Sequence, residues 1–511
     1  MHQKTSVDNA GSEPRPRILL IAGSDSAGAA GLQADIATCY GLGAHPLTAI
    51  TAVTAQHGRG VISANPTTAD VVRDQIQAVL RDGHPNAIKI GLVTNTQQAD
   101  TIIEQILGKR SWVDSMPVVW DPVMTSTSGN RFTEGMNWMA CMLPHVDLVT
   151  PNIDEAEQLT GQIIQCPDDM LTIVKQLHHL GARGVWLKGG HRNFDEYPGQ
   201  HIDLLSWQGR HVWLVQNHIL TKNSRGTGCT LATATAVFLA GLLKDKASLS
   251  FACVASAVVL ASAYVHQGLK EGYPLGDQPG PIAHLGWPQD FACYPRVVDE
   301  LTWLSSNKFP DCGLQPLGLY PVIDSLSWLE KLLNLGIKTI QLRIKELPEA
   351  ELEATVKKAV ALCRGSDCRL FINDYWQLAI KYGAYGVHLG QEDIAEADLS
   401  ALRESGIRLG ISTHSEFEWA RAASLNPSYL AIGAIYPTNT KQVIIVGENK
   451  LKRWVDILKP HFPLTAIGGI NQQNLGKILD TGIDSAAVVS AITLSSDYEI
   501  ATKTLLQAFP E

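Results

Sequence analysis

Two glycines separated by one residue open a helix-length apolar segment, in the run Asn223-Ser224-Arg225-Gly226-Thr227-Gly228-Cys229-Thr230. Glycine lets the backbone take conformations closed to other residues, so several amide N–H groups can converge at the positive end of a helix dipole. That arrangement binds an anion, most often a phosphate. An ordinary helix start that packs through small residues would have a similar sequence. The surrounding residues must therefore distinguish an anion-binding loop from a purely structural turn.

A stretch rich in glycine and alanine, residues 22–35, follows the first apolar run and ends at Asp35. Its small side chains would let a ligand approach the backbone closely, although a connection whose Asp stabilises a helix start has the same composition. Gln56 ends the next apolar run and offers both a donor and an acceptor. It suits the edge of an aminopyrimidine, and an ordinary strand-end glutamine would look the same.

Later runs are followed by Asn152, by Glu155 three residues on, and by Lys188 before two glycines. Asn and Glu beside a phosphate are the residue types that coordinate Mg²⁺ through water. Lys188 suits a nucleotide phosphate. Each of the three, taken alone, is equally explained by a helix cap or a surface charge.

In the last part of the chain, polar residues and glycines lie at the ends of seven of eight short apolar runs. They are Gln341, Arg343, Lys345, Asn373, Asp374, Gln391, Asp393, Ser412, Thr413, His414, Thr438, Thr440, Lys441, Gly468, Gly469 and Ser490. Cations and two separated carboxylates on one rim fit Mg²⁺ bound together with a diphosphate. Solvated loop charges are the alternative, and for Gln391 or His414 alone that alternative is equally good.

Strand-length runs alternate with helix-length segments throughout. In the first part the runs are 18–23, 47–56, 87–93, 118–123, 147–152 and 184–189, with a hairpin across 202–215. This alternation predicts a mainly parallel, doubly wound sheet whose ligands lie beyond the carboxyl ends of the strands. The eight later runs are 318–323, 339–343, 370–373, 386–389, 408–411, 429–435, 465–469 and 486–490, which predict a compact (β/α)8 TIM barrel.

Composition limits the possible functions. The 511 residues are 45% hydrophobic and 18% charged, and a net charge of −9 argues against nucleic acid or another polyanion as a partner. Nine scattered cysteines without CxxC spacing indicate free thiols in the cytoplasm. Residues 1–16 are predicted to be a disordered leader. The stretch 247–269 lacks Asp, Glu, Lys and Arg but holds four serines, so it predicts a buried helix rather than a membrane span. The sequence leaves open whether the protein forms a homo-oligomer.

Together, the motifs of the first part resemble the hydroxymethylpyrimidine and phosphomethylpyrimidine kinases of the ribokinase-like superfamily. The resemblance covers residues 17–285, through the segments 22–56, 121–129, 150–155, 187–191 and 226–230 and the closing Gly280-Pro281-Ile282-Ala283-His284. It implies ATP-dependent phosphorylation of the pyrimidine alcohol and then of its monophosphate. By position, the resemblance assigns Asp35, Thr54, Gln56 and Leu92 to the pyrimidine, Asn152, Glu155, Lys188 and Thr227 to ATP and Mg²⁺, and Gly226, Gly228 and Cys229 to the anion hole.

Two residues depart from the wider pattern. Cys229 stands where sugar kinases of the superfamily carry an Asp as general base, as is usual for this branch. A thiol at a helix N-terminus is expected to have a lowered pKa and to accept a proton, while a buried structural cysteine is the alternative. Arg225 stands where His is expected, with a charge that still suits phosphate.

The later part resembles thiamine phosphate synthase from Gly318 through Ile492. The matching motifs are Gln341-Leu342-Arg343-Ile344-Lys345, Phe371-Ile372-Asn373-Asp374, Gly386-Val387-His388-Leu389-Gly390-Gln391-Glu392-Asp393 and Ile467-Gly468-Gly469-Ile470. The resemblance implies loss of pyrophosphate from hydroxymethylpyrimidine diphosphate and capture of the pyrimidine-methyl cation by the nitrogen of a thiazole phosphate. It assigns Asp374 and Asp393 to Mg²⁺, and Arg343, Lys345, Asn373 and Lys441 to pyrophosphate. It assigns Gln341, Thr438, Thr440, Gly469 and Ser490 to the two substrates and Ser412 to the reacting centre.

This part also departs from its family. Tyr375 stands where Arg is common, and Val443-Ile444-Ile445-Val446 replaces a usually polar loop. Residues 286–313 carry three prolines and predict a linker between domains at 17–285 and 314–511, with a helix-like piece at 297–304 kept with the first domain. We expect a cut near Asp311 to give two soluble, active pieces.

The sequence therefore predicts a bifunctional enzyme of thiamine biosynthesis in which the first half makes a substrate of the second. Two alternatives stay open. The first half would be a pyridoxal-type kinase, which competition between the two alcohols would reveal. The barrel would be a regulatory module that binds thiazole phosphate, although the Mg²⁺ and diphosphate residues favour catalysis.

Overall fold

The structure is a computed structural model that describes residues 15–58, 60–108, 116–124, 137–190, 192, 194–244, 248–304, 307–313, 315–437 and 444–509. The chain divides into two compact units, residues 1–288 with 293–295 and residues 289–292 with 296–511. Each unit is described by itself. The predicted leader lies outside the described residues except for Arg15 and Pro16, whose carbonyl accepts a hydrogen bond from His45 N at 2.7 Å.

The first unit alternates strands and helices. Its strands are β1 (Arg17–Asp25), β2 (His45–His57), β3 (Gly60–Pro66), β4 (Ala87–Ile90), β5 (Val118–Trp120), β6 (Leu148–Val149), β7 (Gly184–Leu187), β8 (Gln200–Trp207) and β9 (Arg210–Asn217). Its helices are α1 (Gly31–Gly41), α2 (Ala69–Arg81), α3 (Thr96–Ile102), α4 (Asn137–Met142), α5 (Ile153–Thr160), α6 (Pro167–His179), α7 (Thr227–Leu242) and α8 (Phe251–Lys270).

These strands form one sheet in the order β9-β8-β7-β6-β5-β4-β1-β2-β3. β1 to β7 run parallel except β3, and β3, β8 and β9 pair antiparallel with their neighbours. Strand order reverses at β1, which lies between β2 and β4, so the crevice for a ligand opens beyond the carboxyl end of β1. Ile18 to Ile21 of β1 are completely buried, which explains their unbroken apolar sequence.

The predicted doubly wound sheet is confirmed. The structure ends the central strands earlier than predicted, at Ile90, Trp120, Val149 and Leu187, because the residues that follow turn toward the cavity described below. The edge strand β3 was not predicted, since its largely exposed residues lack an apolar run. The predicted hairpin is β8 and β9, whose turn at Gln208 and Gly209 has positive φ at both residues, as a tight hairpin requires.

The uncharged stretch at 247–269 forms most of α8. This helix is long and apolar enough to cross a membrane, but 83% of its most apolar window is buried inside the protein. It packs against α7, and the alanines of both helices let their backbones approach closely. α8 is therefore a core helix, as predicted.

The second unit begins with β10 (Arg296–Val298) and continues with eight strands, β11 (Gly318–Ile323), β12 (Thr339–Leu342), β13 (Arg369–Asn373), β14 (Gly386–Leu389), β15 (Arg408–Thr413), β16 (Tyr429–Gly433), β17 (Leu464–Ile467) and β18 (Ser485–Val488). Its helices are α9 (Leu326–Asn334), α10 (Glu349–Cys363), α11 (Trp376–Tyr382), α12 (Leu399–Glu404), α13 (Glu416–Ser424), α14 (Gly447–Leu458), α15 (Leu475–Leu479), α16 (Ser490–Thr493) and α17 (Tyr498–Leu506).

Strands β11 to β18 are parallel and close into a barrel through pairing of β18 with β11. All eight predicted runs are strands, so the predicted (β/α)8 barrel is confirmed. Tyr320, Phe371 and Tyr429 fill its interior, and Cys312 packs against them from outside the strands. The carboxyl ends of the strands form one rim, where such barrels carry their chemistry.

The helix-like piece predicted at 297–304 is not a helix, because these residues hold β10 and a single 3₁₀ turn (Leu301–Trp303). Phe309 N donates to the Asn426 carbonyl at 3.0 Å, and Arg408 Nε donates to the Asp311 carbonyl at 2.7 Å. A cut just after Asp311 would separate both contacts from the barrel.

Two candidate active sites

The glycine loop of residues 223–230 adopts the predicted turn into a helix. Gly226 has φ +79° and lies just before α7, and a Cβ there would be 2.3 Å from the Ala29 carbonyl oxygen. Only glycine permits this approach, which packs the loop against the small-residue connection after β1. A Cβ on Gly228 would lie 3.5 Å from both Asp121 and Lys188, so the loop also faces that ion pair.

A cavity of about 830 Å³ opens at this point, beyond the carboxyl ends of the central strands. It brings together most of the predicted residues of the first unit. The predicted residues on its wall are Thr54, Gln56, Leu92, Asn152, Glu155, Lys188, Gly226, Thr227, Gly228 and Cys229. The volume is in the range of small-molecule sites.

Asp35 is placed differently from the other predicted residues. It is fully buried, pairs with the fully buried Lys89 at 2.8 Å, and accepts from Thr233 Oγ1 at 2.7 Å. Lys89, rather than Asp35, reaches the cavity wall. Burial lowers the pKa of Lys89, but Asp35 and its other anionic neighbours raise it overall, so the lysine is charged. Asp35 therefore acts on the cavity through Lys89, which the sequence did not single out.

Asn152 and Glu155 meet through the start of α5. The Asn152 side chain accepts from Glu155 N and the Glu155 carboxylate accepts from Asn152 N, both at 2.8 Å, in a capping box. Burial raises the pKa of Glu155 to about 7, against the opposing charge of Lys188. A further cation in the cavity would favour the ionised form.

Lys188 follows β7 and its ammonium lies 2.9 Å from Asp121, which follows β5. Burial alone would lower the pKa of Lys188, but Asp121 and Glu155 raise it above its ordinary value. The cation is thus held in place before any ligand arrives. The sequence could have indicated a site role for Asp121, because this residue directly follows the apolar residues of β5.

The predicted low pKa of Cys229 is wrong for this structure. Burial raises the pKa of its thiol to about 12, and the nearby charge of Lys89 opposes this only in part. Cys229 is consequently a neutral thiol at pH 7, because desolvation outweighs the helix dipole.

Arg225 lies at the mouth of the glycine loop. One of its guanidinium nitrogens is 3.6 Å from Asp25, and Nη1 is a buried donor with no hydrogen-bond partner among the described residues. Asp25 in turn accepts from the amides of Ala27, Ala29 and Ala30, which shapes the small-residue connection. An unpaired buried donor on the cavity wall suits an anionic ligand.

His201 on β8 was not singled out in the sequence. Its Nε2 lies 2.9 Å from the Asp203 carboxylate and its Nδ1 lies 2.9 Å from the Gly190 carbonyl. Both partners are acceptors, so the ring satisfies both only when it is protonated. Burial lowers the pKa of His201, but Asp203 raises it overall. Since Asp203 also accepts from Gly189 N at 2.8 Å, the pair fixes the loop after Lys188.

In the barrel, the structure places the described predicted residues at the strand ends. Gln341 is in β12, Asn373 ends β13 and Asp374 follows it, Asp393 follows β14, Ser412 is in β15, Gly469 follows β17 and Ser490 begins α16. Thr438, Thr440 and Lys441 lie outside the described residues. A Cβ on Gly469, which has φ +66°, would be 2.7 Å from the Pro437 carbonyl, so this turn requires glycine.

Asp374 has φ +65°, an unusual conformation for a residue with a side chain. Its amide donates to the His388 carbonyl at 3.0 Å, which holds the turn. Burial and the nearby Asp393 raise the pKa of Asp374, while Arg343 and Lys345 oppose that rise. Two mutually repelling carboxylates beside two cations favour a bound divalent cation with an anionic ligand.

A chain of hydrogen bonds runs from the barrel core to this rim. Ser412 Oγ is 2.8 Å from His388 Nε2, His388 Nδ1 is 2.7 Å from the Tyr429 hydroxyl, and that hydroxyl is 2.9 Å from Tyr320. Gln341 Nε2 donates to Tyr320 at 3.4 Å. Burial lowers the pKa of His388 to about 3, so the ring is neutral and the chain carries no charge. His388 belongs to the motif of residues 386–393, but that motif did not indicate that His388 would connect Ser412 to the barrel core.

The two departures of the second part have local explanations. Tyr375 donates its hydroxyl to the Ile344 carbonyl at 3.2 Å, between the ends of β13 and β12. In the unusual apolar loop, Ile444 and Ile445 are exposed, whereas Val446 is buried and its amide donates to the Ala434 carbonyl at 2.8 Å. Val443 lies outside the described residues.

Comparison with known proteins finds a family for each unit. The family model for phosphomethylpyrimidine kinase matches residues 25–283, and that for thiamine monophosphate synthase matches residues 319–492. The thiamine-phosphate synthase of Photorhabdus laumondii is 52% identical over 206 residues, covering 39% of this chain and 95% of that protein. The Yersinia pestis enzyme of the same name is 54% identical over 205 residues, covering 40% and 94%.

Among solved structures, the phosphomethylpyrimidine kinase of Clostridium difficile 630 is 32% identical, covers 49% of this chain and 98% of its own, and has a TM-score of 0.40. The family matches and the curated relatives together account for both units. The chain belongs to the phosphomethylpyrimidine kinase family in its first unit and to the thiamine-phosphate synthase family in its second, and it is a bifunctional transferase of thiamine biosynthesis.

Proposed function

We propose that the first unit transfers the γ-phosphoryl group of ATP to 4-amino-5-hydroxymethyl-2-methylpyrimidine and then to its monophosphate, with residue roles that follow from the cavity. The observation that carries this proposal is the convergence of the glycine loop, Lys188 and Gln56 on one cavity. The second unit joins the diphosphate to 4-methyl-5-(2-phosphoethyl)thiazole, giving thiamine phosphate and pyrophosphate.

In the kinase step, the alcohol oxygen forms a bond to the γ-phosphorus, and the bond from that phosphorus to the bridging oxygen breaks with its electrons leaving on ADP. Negative charge is spread over the transferred group, so donors fixed in advance contribute most. We assign this role to the amides of Gly226, Thr227 and Gly228. Lys188, held by Asp121, binds the nucleotide phosphates.

The alcohol must also lose a proton. A thiol with a pKa of about 12 is rarely ionised at pH 7, so Cys229 is a poor proton acceptor in this state. A loose transition state for phosphoryl transfer makes little demand on a base. We therefore assign Cys229 to the wall of the anion hole, and the amides to the main catalytic effect.

For the pyrimidine, we assign contacts to Thr54, Gln56 and Leu92. Gln56 Nε2 donates to Thr54 Oγ1 at 2.8 Å, which orients the Gln56 carbonyl toward a ligand donor such as the 4-amino group. Leu92 supplies an apolar surface. Asp35 acts indirectly, by fixing Lys89.

The residues of the kinase cavity fit Mg²⁺ bound together with the nucleotide. Glu155 would offer one buried carboxylate whose pKa of about 7 would fall beside a cation, and the Asn152 amide orients that carboxylate. The ion would neutralise phosphate charge.

In the synthase step, the bond between the methylene carbon and the diphosphate oxygen breaks, and its electrons leave on pyrophosphate. The thiazole nitrogen then donates its lone pair to the carbon and forms the C–N bond. We assign Arg343, Lys345, Asn373 and Lys441 to pyrophosphate. Gln341, Thr438, Thr440, Gly469 and Ser490 bind the pyrimidine and the thiazole phosphate, and Ser412 faces the reacting carbon.

The donor set at the barrel rim fits Mg²⁺. The described residues contain no cluster of three His, Cys, Asp or Glu side chains, and Mg²⁺ prefers a few carboxylates completed by phosphate oxygens and water. Asp374 and Asp393 would hold it, and it would offset the charge on the departing pyrophosphate. The observation that supports this assignment is the raised pKa of Asp374, which burial and the nearby Asp393 cause.

One experiment tests the whole sequence of reactions. The intact chain is supplied with hydroxymethylpyrimidine, ATP, Mg²⁺ and thiazole phosphate, and thiamine phosphate is measured. Omission of ATP should stop the reaction unless the pyrimidine diphosphate is supplied. Failure of the diphosphate to bypass ATP would contradict the assignment of the second unit.

Competition between hydroxymethylpyrimidine and pyridoxal decides between the two kinase substrates. We expect the pyrimidine to have the higher kcat/KM. We also propose a cytoplasmic location and small-molecule partners only, supported by the nine cysteines, which form no disulfide, and by the net charge of −9. Retention on nucleic acid or on lipid vesicles at physiological salt would contradict this.

A further inference from the structure

The segment before the barrel is packed against α13. Val297 and Val298 of β10 are buried, and Val297 N donates to Ser424 Oγ at 2.7 Å. The next residue, Asp299, receives two hydrogen bonds from the guanidinium of Arg421, from Nε at 3.1 Å and from Nη2. A bidentate pair of this kind fixes both position and orientation.

Arg421 is buried, with 7% of its surface exposed, so its charge needs a partner. Among the described residues Asp299 is its ion-pair partner. The remaining arm of the guanidinium donates to the backbone carbonyl of Gln391 at 2.9 Å and to its side-chain oxygen at 3.1 Å. Arg421 thus connects Asp299 to the loop after β14.

These contacts fix the orientation of the Gln391 amide. Its oxygen faces Arg421, so its Nε2 faces the other way and donates to the carbonyls of Ser412 at 2.8 Å and Glu418 at 3.4 Å. Gln391 thereby ties the end of β15 to the loop that carries Asp393, two residues on. Asp393 is held within the same loop by Gly390 N at 3.0 Å.

We propose that Asp299, which lies outside the eight barrel strands, is a positioning residue for the synthase reaction: it holds Arg421, which holds Gln391, which sets Ser412 and the Asp393 loop. This inference rests on the proposed roles of Ser412 and Asp393. The segment that the sequence predicts to be a linker then supports the synthase site. Removing it should weaken coupling of the pyrimidine diphosphate to thiazole phosphate, although all eight barrel strands remain.

The test uses the full chain with Asp299→Asn, which removes the charge and keeps the size. We expect kcat/KM for the pyrimidine diphosphate to fall roughly tenfold or more, since small displacements of reacting groups are costly. Binding of pyrophosphate with Mg²⁺, measured by calorimetry, should weaken several-fold. The kinase rate should not change.

Glu300→Gln is the matched control, because this neighbouring carboxylate is exposed and accepts a hydrogen bond from the hydroxyl of Thr302 within its own turn. It should behave as wild type. Gln391→Met is the second variant, should Asp299→Asn fold poorly. It leaves Arg421 paired with Asp299 but removes the bond to the Ser412 carbonyl, and it should reproduce the loss of pyrophosphate binding.

The inference is overturned if Asp299→Asn and Gln391→Met bind pyrophosphate and couple the diphosphate as wild type does. It is also overturned if Asp299→Asn lowers only the thermal midpoint. Failure of the proposed function itself would look different, because wild type would then form no thiamine phosphate from supplied diphosphate.

Discussion

The two units differ in how they handle polar groups buried beneath their sites. In the kinase unit, buried cations are paired with carboxylates, as in Lys89 with Asp35 and Lys188 with Asp121. In the synthase unit, the chain from Tyr320 to Ser412 is neutral and the charged groups lie at the rim.

The difference follows from the charge that each reaction develops. Phosphoryl transfer involves negative charge on the transferred group and on the leaving nucleotide, so cations fixed in advance by carboxylates assist it. In the synthase step proposed above, positive charge develops on the methylene carbon, and a buried imidazolium nearby would destabilise it. A neutral His388 within a chain of hydroxyls orients Ser412 without adding positive charge.

The largest effect is expected from removing a rim carboxylate. Asp374→Asn should lower the coupling rate by roughly 10³-fold or more, because charge on the departing pyrophosphate is no longer neutralised. Loss of a single electrostatic contact in an active site typically lowers kcat by about 10²–10³-fold. The kinase should be unaffected. The measurement is coupling rate against Mg²⁺ concentration, with kinase rate as the internal control. An unchanged Mg²⁺ dependence of coupling would remove Asp374 from the metal site.

Breaking a buried pair tests the kinase side. Lys89→Met leaves Asp35 buried without its cation and should cost roughly 3–5 kcal/mol of stability. The double variant Asp35→Asn with Lys89→Met should recover most of that loss, since no charge is left unpaired. Chemical denaturation followed by kinase activity measures this, while coupling activity reports on the other unit. Equal costs for single and double variants would show that the ion pair is not the relevant interaction.

Half-buried His201 and buried His388 predict opposite responses to pH. His201 has a raised pKa in the folded state, so its contribution to stability is fully present below about pH 6.5 and is lost as pH rises through the raised value. His388 has a folded pKa of about 3, so its contribution is present above about pH 6.5 and is lost as pH falls toward 3. At pH 5, the low pKa of His388 in the folded state lowers the free energy of unfolding by about 2 kcal/mol.

The measurement compares stability against pH for wild type, His201→Gln and His388→Gln. The His201 variant should lose the dependence on the alkaline side, and the His388 variant should lose part of the acid sensitivity. Identical pH profiles for all three proteins would contradict both assignments. A shift in KM for ATP with pH that disappears in His201→Gln would further tie His201 to the loop after Lys188.

The sequence predicted both folds because its apolar runs recur at regular intervals. Unbroken apolar runs such as Ile18 to Ile21 and the eight barrel strands follow directly from burial on both faces. Residues that directly follow these runs, such as Lys188 and Asp374, could likewise be placed at the strand ends. The contacts between distant segments could not: Asp35 with Lys89, and Asp299 with Arg421, join residues 54 and 122 positions apart. The prediction of a lowered pKa for Cys229 failed for a related reason, because desolvation depends on which residues surround the thiol in the folded structure.

Cys229→Ala has the smallest expected effect and is the sharpest test of the kinase mechanism. A thiol with a pKa of about 12 supplies little thiolate at pH 7, so its removal should lower pyrimidine phosphorylation by roughly tenfold or less, below the range of about 10²–10⁴ for loss of a general base. Coupling from supplied diphosphate should be unchanged and serves as the control. Steady-state kinase rates between pH 6 and 10 complete the measurement. A loss of 10²-fold or more, together with the disappearance of an alkaline rise in rate seen in wild type, would make Cys229 the base and the amide loop its auxiliary.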